Sequence, residues 1–305
     1  MKHLFFVALL FSVVVLQAQT PVLPAHFYAQ EWHDIDSFLL TGENPKADTL
    51  LDKLQARAKK ERNTAQIVKT LLFKVVSTPK NGKITEGSYA TALRTLQAAT
   101  DAAEFPEKPI LQTMLGDIYI QFLAQNYYHK PLKDIILPIG DVRSLTRQDI
   151  LIYAKKLFIA ALSDGRTQQL NVSILDALTK PNWISEDTIR PTVFDFLAHR
   201  TLSALNKIPY ELTTNNTEFE WRDTVLSSTS EMFMRLNFNT LDSLNVSFIK
   251  LDILKKLTAF HRQDAQPSPL IEVELLRLKW TYSNISNASS AIYGSWGNNQ
   301  AYQSA

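Results

Sequence analysis

From Leu50 onward, apolar residues recur every three or four positions and polar residues fill the intervals, the signature of amphipathic helices. LLDKLQARAKKERN, beginning at Leu50, carries one apolar stripe and a basic end, which is favourable at a helix C-terminus. Asn63, followed by Gln66, opens the next periodic stretch, TAQIVKTLLFKVVS, as a capping pair. Helices joined by so short a link lie antiparallel as a hairpin, and STPKNGK (77–83) closes the unit as a turn. The same periodicity predicts helices over 89–103, 109–126, 147–162, 191–206, 225–236, 246–261 and 269–282. Pro191 and Pro269 stand where a first-turn proline is tolerated, with Ser268 a natural cap. VSTPKNGKIT is the strongest strand-hairpin candidate, but a lone hairpin is marginal and a turn between helices is expected.

Two helix–turn–helix units, 50–76 and 246–282, share a layout on the scale of tetratricopeptide-type repeats, although the signature residues of that repeat are not clean. The expected fold is therefore all-α, a solenoid-like (TPR-like) array of stacked helical hairpins, favoured over a closed bundle. Residues 20–282 are expected to form this array as one domain, a split into two lobes near 130–145 being the alternative. From 283 to 305 the chain holds no charged residue, and Ser, Asn and Gly dominate as in a loop. That end supplies neither the polar cap of a terminal repeat nor a partner, so a longer parent protein is expected there; a natural tail is the other reading.

Composition narrows the setting. Residues 1–19 have a charged start (Lys2, His3), an apolar run over 4–16 and a small-residue cleavage context near Ala18 and Gln19, the plan of a cleaved secretory signal. The run is too short for a comfortable membrane span and no stop-transfer pattern follows, so no transmembrane anchor is expected. Export to a periplasm or cell surface of the Gram-negative type follows from that segment. No cysteine occurs, which excludes disulfides, thiolate metal sites and a lipidated cysteine after the signal. With 32 basic and 30 acidic residues evenly spread, no basic stripe points to nucleic acid. Only 8 glycines are present, against turn-dense β folds and phosphate-cradling loops.

The residues that most resemble chemistry lie in RPTVFDFLAHRTLSAL, starting at Arg190. At helical spacing Thr192, Asp195, His199 and Ser203 share one sector, opposite Val193, Phe194, Leu197, Ala198, Ala204 and Leu205. An Asp, a His and a Ser in register suggest a relay, but a straight helix offers neither an oxyanion hole nor a sharply presented nucleophile. No catalytic residue is assigned; Asp195, His199 and Arg190 are read as a structural polar stripe, with Asp195 and His199 paired one turn apart. His26, His33, His129 and His261 look isolated and no His-Glu-x-x-His occurs, so neither a metal site nor a cofactor is expected. Trp32, Tyr127, Tyr128 and Trp183 are the candidate contact aromatics of a peptide or glycan binder. Four Asp–hydroxyl–apolar triplets make Thr49, Thr188, Thr224 and Ser243 candidates for O-glycosylation, helix caps being the plainer explanation.

Four stretches together resemble the N-terminal helical region of the large bacterial alpha-2-macroglobulin-like proteins: LLDKLQARAKKERNTAQIVKTLLFK from Leu50, KPILQTMLGDIYIQFLAQNYY from Lys108, RPTVFDFLAHRTL from Arg190 and LKKLTAFHRQDAQPSPLIEVELLRLKW from Leu254. The likeness runs from about 32 to 282, and the stretch from Arg190 is the most distinctive. It implies a leading helical segment followed by β-sandwich macroglobulin domains, in a protein acting as a protease trap in envelope defence. Many members carry a Cys-x-Glu-Gln thioester; this chain has no cysteine and no run of short alternating strands, so the trapping chemistry maps onto none of its residues. The expectation is a non-enzymatic exported scaffold or interaction segment, with the downstream macroglobulin domains or an envelope protein as partner. The rivals are a stand-alone helical-repeat binder and an envelope enzyme on an α/α scaffold using Asp195 and His199.

Overall fold

The computed structural model describes residues 28–77, 86–126, 146–178, 188–208, 212, 228–237 and 244–297. They form an all-α protein. Its helices are α1 (Ala29–Leu40), α2 (Asn44–Lys60), α3 (Thr64–Ser77), α4 (Glu86–Ala102), α5 (Glu107–Asn126), α6 (Arg147–Leu162), α7 (Val193–Leu205), α8 (Ser230–Arg235), α9 (Val246–His261) and α10 (Ser268–Gly297). Two 3₁₀ turns, Gly165–Gln169 and Val172–Leu175, lie between α6 and α7. Among the described residues there is no strand, and the β-type pairing is an isolated antiparallel bridge between Asn171 and Thr192.

Local sequence accounts for most of the boundaries. Helix α2 ends in three basic residues, Arg57, Lys59 and Lys60, against its own carbonyl end. The chain then reverses through Arg62 at φ 53°, with Arg62 N–H donating to Lys59 O at 3.2 Å and Asn63 N–H to Ala58 O at 2.9 Å. This is a Schellman closure with an arginine in the left-handed position that glycine usually fills. Asn63 caps α3 by accepting from Gln66 N–H at 3.2 Å. Helix α6 starts on a full capping box, Thr146 with Asp149. Helix α1, absent from the periodicity reading, is a twelve-residue helix that buries Trp32 and Ile35. Helix α10 runs on past Tyr282, through a stretch expected as loop; no proline follows Pro269, so nothing in the backbone stops it.

Consecutive helices from α1 to α6 are neighbours, α5 and α6 most intimately, and α7 then packs on α5 while α9 bridges α7 and α10. Helix α5 is apolar almost all round, burying Ile110, Leu111, Met114, Leu115, Tyr119, Ile120, Phe122 and Leu123, and so serves as the spine of the main core. That core continues through α6, α7 and α9 without interruption. The segment where a split into two lobes was the alternative, 127–145, lies outside the described residues; the helices on either side of it share this core. A satellite core of Tyr28, Trp32, Ile35, Leu51 and Leu54 sits between α1, α2 and α3. Residues 1–27, which include the stretch expected to be a signal, the candidate strand hairpin beyond Ser77 and residues 298–305 also lie outside the description.

Gly116 makes room for α6 against α5. A Cβ there would stand 2.6 Å from Phe158 Cε1, and the Phe158 ring on α6 is fully buried. Gly116→Ala gains about 1 kcal/mol of helix propensity. It also meets an overpacking cost of about 1–3 kcal/mol because the ring has nowhere to go. We expect net destabilisation in urea unfolding, relieved in the double variant with Phe158→Leu; a single variant as stable as wild type would show that α5 and α6 can part freely.

Candidate functional site

The polar residues singled out in the sequence converge where α7 meets α9 and α10. Thr192 is the N-cap of α7. Its hydroxyl accepts from Asp195 N–H at 3.2 Å and donates to Asp195 Oδ2 at 2.8 Å, and its own N–H donates to the same oxygen at 3.0 Å. This Thr-x-x-Asp box, rather than Pro191, starts the helix. The other carboxylate oxygen, Oδ1, lies 2.7 Å from His261 Nε2, and His261 Nδ1 lies 2.6 Å from Asp264 Oδ2. Asp195 is 0% and His261 2% exposed.

Both ring nitrogens of His261 therefore face carboxylate oxygens, and both must carry a proton to satisfy them. Burial pushes the His261 pKa down, but hydrogen bonds to Asp195 and Asp264, and their charges, outweigh it and the net shift is upward. The group is an imidazolium held between two aspartates. Phe194 and Phe260 pack edge to face beside it, with ring centroids 5.6 Å apart, and help to exclude water.

A second cluster lies one turn along α7. Arg190 Nη2 donates to Glu272 Oε1 at 2.6 Å, linking the start of α7 to α10. His199 Nε2 lies 3.2 Å from Glu272 Oε2, an oxygen that makes no hydrogen bond, so the contact is electrostatic rather than directed. Burial first, and then the Arg190 charge, lower the His199 pKa to about 4 against the opposing pull of Glu272 and Asp195. His199 is the neutral histidine and His261 the charged one.

A third link runs to the spine. Asp117 of α5 is 3% exposed, and its partners are Arg200 Nη2 of α7 at 2.9 Å and Lys207 Nζ, just past the end of α7, at 3.1 Å. On α10, Arg277 is 1% exposed; it donates to Ser228 O at 2.8 Å, pairs with Glu274 and lies 4.7 Å from the centre of the Phe233 ring.

The stripe read from the sequence is thus divided. Asp195 turns not to His199 but to Thr192 and His261, because α9 covers the N-terminal end of α7. His261, which looked isolated, is the main partner, reached across 66 positions. Ser203 is exposed and takes no part. Asp195 and His261 are buried at one end of this chain of contacts and Asp264 is exposed at the other; the hydroxyl in contact with it, that of Thr192, meets Asp195 rather than His261. Among the described residues no group of three or more His, Asp or Glu has the arrangement to hold a metal ion, and no helix is long and apolar enough to cross a membrane.

The other candidates stand apart from this seam. Trp32 is buried in the satellite core, where its Nε1 donates to Gln66 Oε1 at 2.8 Å, its ring lies 4.7 Å from that of Phe73, and Lys69 Nζ lies 4.1 Å from its centre. Tyr127, Tyr128 and Trp183 lie outside the described residues, as do Thr224 and Ser243. Thr49 and Thr188 are both exposed; the Thr49 hydroxyl donates to Pro45 O at 2.8 Å inside α2.

The class of protein that fold and seam define is an all-α protein whose ionisable residues tie helices together. Compared with protein-family models, with curated proteins and with solved structures, the chain matches none.

Two outcomes test the seam. Asp195→Ala uncaps α7 and leaves a buried imidazolium with one partner, so a loss of about 3–5 kcal/mol is expected in urea unfolding. The His199 pKa lies below the ordinary 6.5, so between about pH 6.5 and 4 the unfolded chain binds a proton that the folded chain refuses. Stability contributed by this group therefore falls as pH drops through that window. His199→Gln flattens the decline; superimposable pH profiles for variant and wild type would refute this assignment of charge.

Proposed function

We propose that this chain is a non-enzymatic, exported helical scaffold, built as a solenoid-like stack of hairpins. By the resemblance given above it corresponds to the leading helical portion of a bacterial alpha-2-macroglobulin-like envelope protein. The observation that carries the non-enzymatic reading is the use of Asp195, His261, Asp264, Glu272 and Asp117 in bonds between helices, with Asp195 and His261 closed to solvent. An acid–base pair must reach substrate to act, and this one reaches only its neighbours. Packing of each helix on the next from α1 to α6 supports the stacked reading.

The mechanism is presentation of a surface. Rigid packing around α5 and ionic ties through α7 hold the helices in one arrangement, to which the following macroglobulin domains or an envelope protein would dock. With no cysteine in the chain, covalent capture of a protease through a thioester is not among its activities.

The reading is tested in the native host. N-terminal sequencing of the envelope fraction is expected to find a mature start next to Ala18 or Gln19. The reading frame after the Ala305 codon is expected to continue into strand-rich domains. A chain retained in the cytoplasm with residues 1–19 intact would overturn the export reading, and a clean stop would remove the macroglobulin one. Any hydrolytic activity lost on His199→Ala would overturn the scaffold reading itself.

A further inference from the structure

Two consecutive turns of the chain are built alike and filled differently. Between α1 and α2, Gly42 N–H donates to Leu39 O at 3.3 Å and Glu43 N–H to Phe38 O at 2.8 Å, with Gly42 at φ 76°. Space around Gly42 is open, so glycine answers there to conformation alone. Between α2 and α3, Arg62 and Asn63 repeat the same two bonds, with Arg62 at φ 53°. Among the described residues it is the one non-glycine residue at positive φ. A side chain is strained in that position, and such strain persists where something requires the side chain.

The fold does not require it. Arg62 is exposed, and among the described residues its guanidinium makes no hydrogen bond and no ion pair. Lys59 and Lys60 in the last turn of α2, and Lys53 two turns back on the face of Lys60, are exposed and equally uncommitted. The helix dipole accounts for Lys59 and Lys60 but calls for no cation at the strained position, and α1 ends with no basic residue in its last turn. The nearby carboxylates are held by the protein. Glu61, half-buried, lies 3.6 Å from Arg57 and accepts from the Tyr28 hydroxyl; Glu107 of α5, also half-buried, accepts from the Thr64 hydroxyl at 2.8 Å; Asp52 pairs with Lys74. At the start of α5, the exposed Glu104 and Lys108 balance each other in charge. Four cations are left facing solvent at one corner.

We propose that this corner, Lys53, Lys59, Lys60 and Arg62, docks the chain on an anionic lipid surface, with the four cations set against phosphate headgroups. Two observations select that partner over an acidic protein. A protein interface closes on buried apolar or aromatic anchors, and none of the large exposed apolar side chains lies between Lys53 and Thr64. The cations also stand on a helix end and the turn beyond it, on long side chains fixed by no partner. Such a set conforms to a spread of charge in a plane better than to one fixed anion, and four basic residues are the size of cluster that anionic lipid attracts. Arg62 extends the cluster past the last helical residue, where a glycine would end it.

The test is co-sedimentation of the full chain with vesicles at low ionic strength. Binding to equimolar phosphatidylglycerol and phosphatidylcholine is expected to exceed binding to phosphatidylcholine alone, and the excess to vanish at high salt. The apolar run over 4–16 would favour both vesicle types alike and drops out of the difference. Arg62→Gly is expected to raise the urea midpoint, by relieving the strain, and yet to cut the excess partition about fivefold, the share of one cation. Adding Lys59→Gln and Lys60→Gln takes the loss to about a hundredfold with cooperative unfolding retained. No preference for the anionic vesicles overturns the proposal. A preference that survives the triple variant overturns it as well, since the contact would then lie elsewhere. So does an Arg62→Gly chain less stable than wild type, which would show the arginine serving the fold. Capture of polyglutamate with no preference between vesicles would assign the corner to an acidic protein and overturn it too.

Discussion

Burying an ionised group without its counter-charge costs several kcal/mol, and this protein buries at least four: Asp117, Asp195, His261 and Arg277. Asp117, Asp195 and His261 are matched from other segments of the chain, so the packing of those segments is fixed by where the partners stand, whereas Arg277 pairs with Glu274 of its own helix. Helix α7 is central to these ties. It sends Arg200 to the spine, joined there by Lys207 from just past its end, Asp195 to α9 and, from its threshold, Arg190 to α10. Apolar packing gives the helices reason to associate, but many rotations of an apolar helix bury similar area. The ionic pairs admit one.

This explains why two histidines on neighbouring helices hold opposite charge states. His261 faces a carboxylate with each nitrogen, and the attraction exceeds the cost of burial. His199 has a single off-axis contact with Glu272, whose charge is already shared with Arg190, and burial prevails. A residue type read from sequence carries no such information, since the difference lies in partners far along the chain, Asp195 for His261 and Glu272 for His199.

The sequence reading was sound where the physics is local. Helix α6 and helix α9 begin and end where periodicity and caps place them, and the turn at Asn63 follows from the basic end of α2 and the cap that Asn63 offers. Thr192-x-x-Asp195 is a capping box whose spacing is as local as that of Thr146 and Asp149. Helix α1 was not read, although its apolar and polar residues are as well separated as those of α2. The seam as a whole was not legible: no local pattern says that His261, last residue of one helix, meets the third residue of another. Trp32 shows the same limit, since an aromatic among acidic residues near an end looks like a contact surface until α3 is laid across it.

The ties through α7 also bear on how the chain is made. Synthesis runs from the N-terminus, so α5 emerges with Asp117 long before Lys207, 90 positions later, and before Arg200. Until α7 appears, the helices already made hold a carboxylate that has to stay wet, which keeps the middle of the future core from closing. The first six helices are thus not a domain that can finish folding on the ribosome; they wait, partly open, for a helix encoded in the second half.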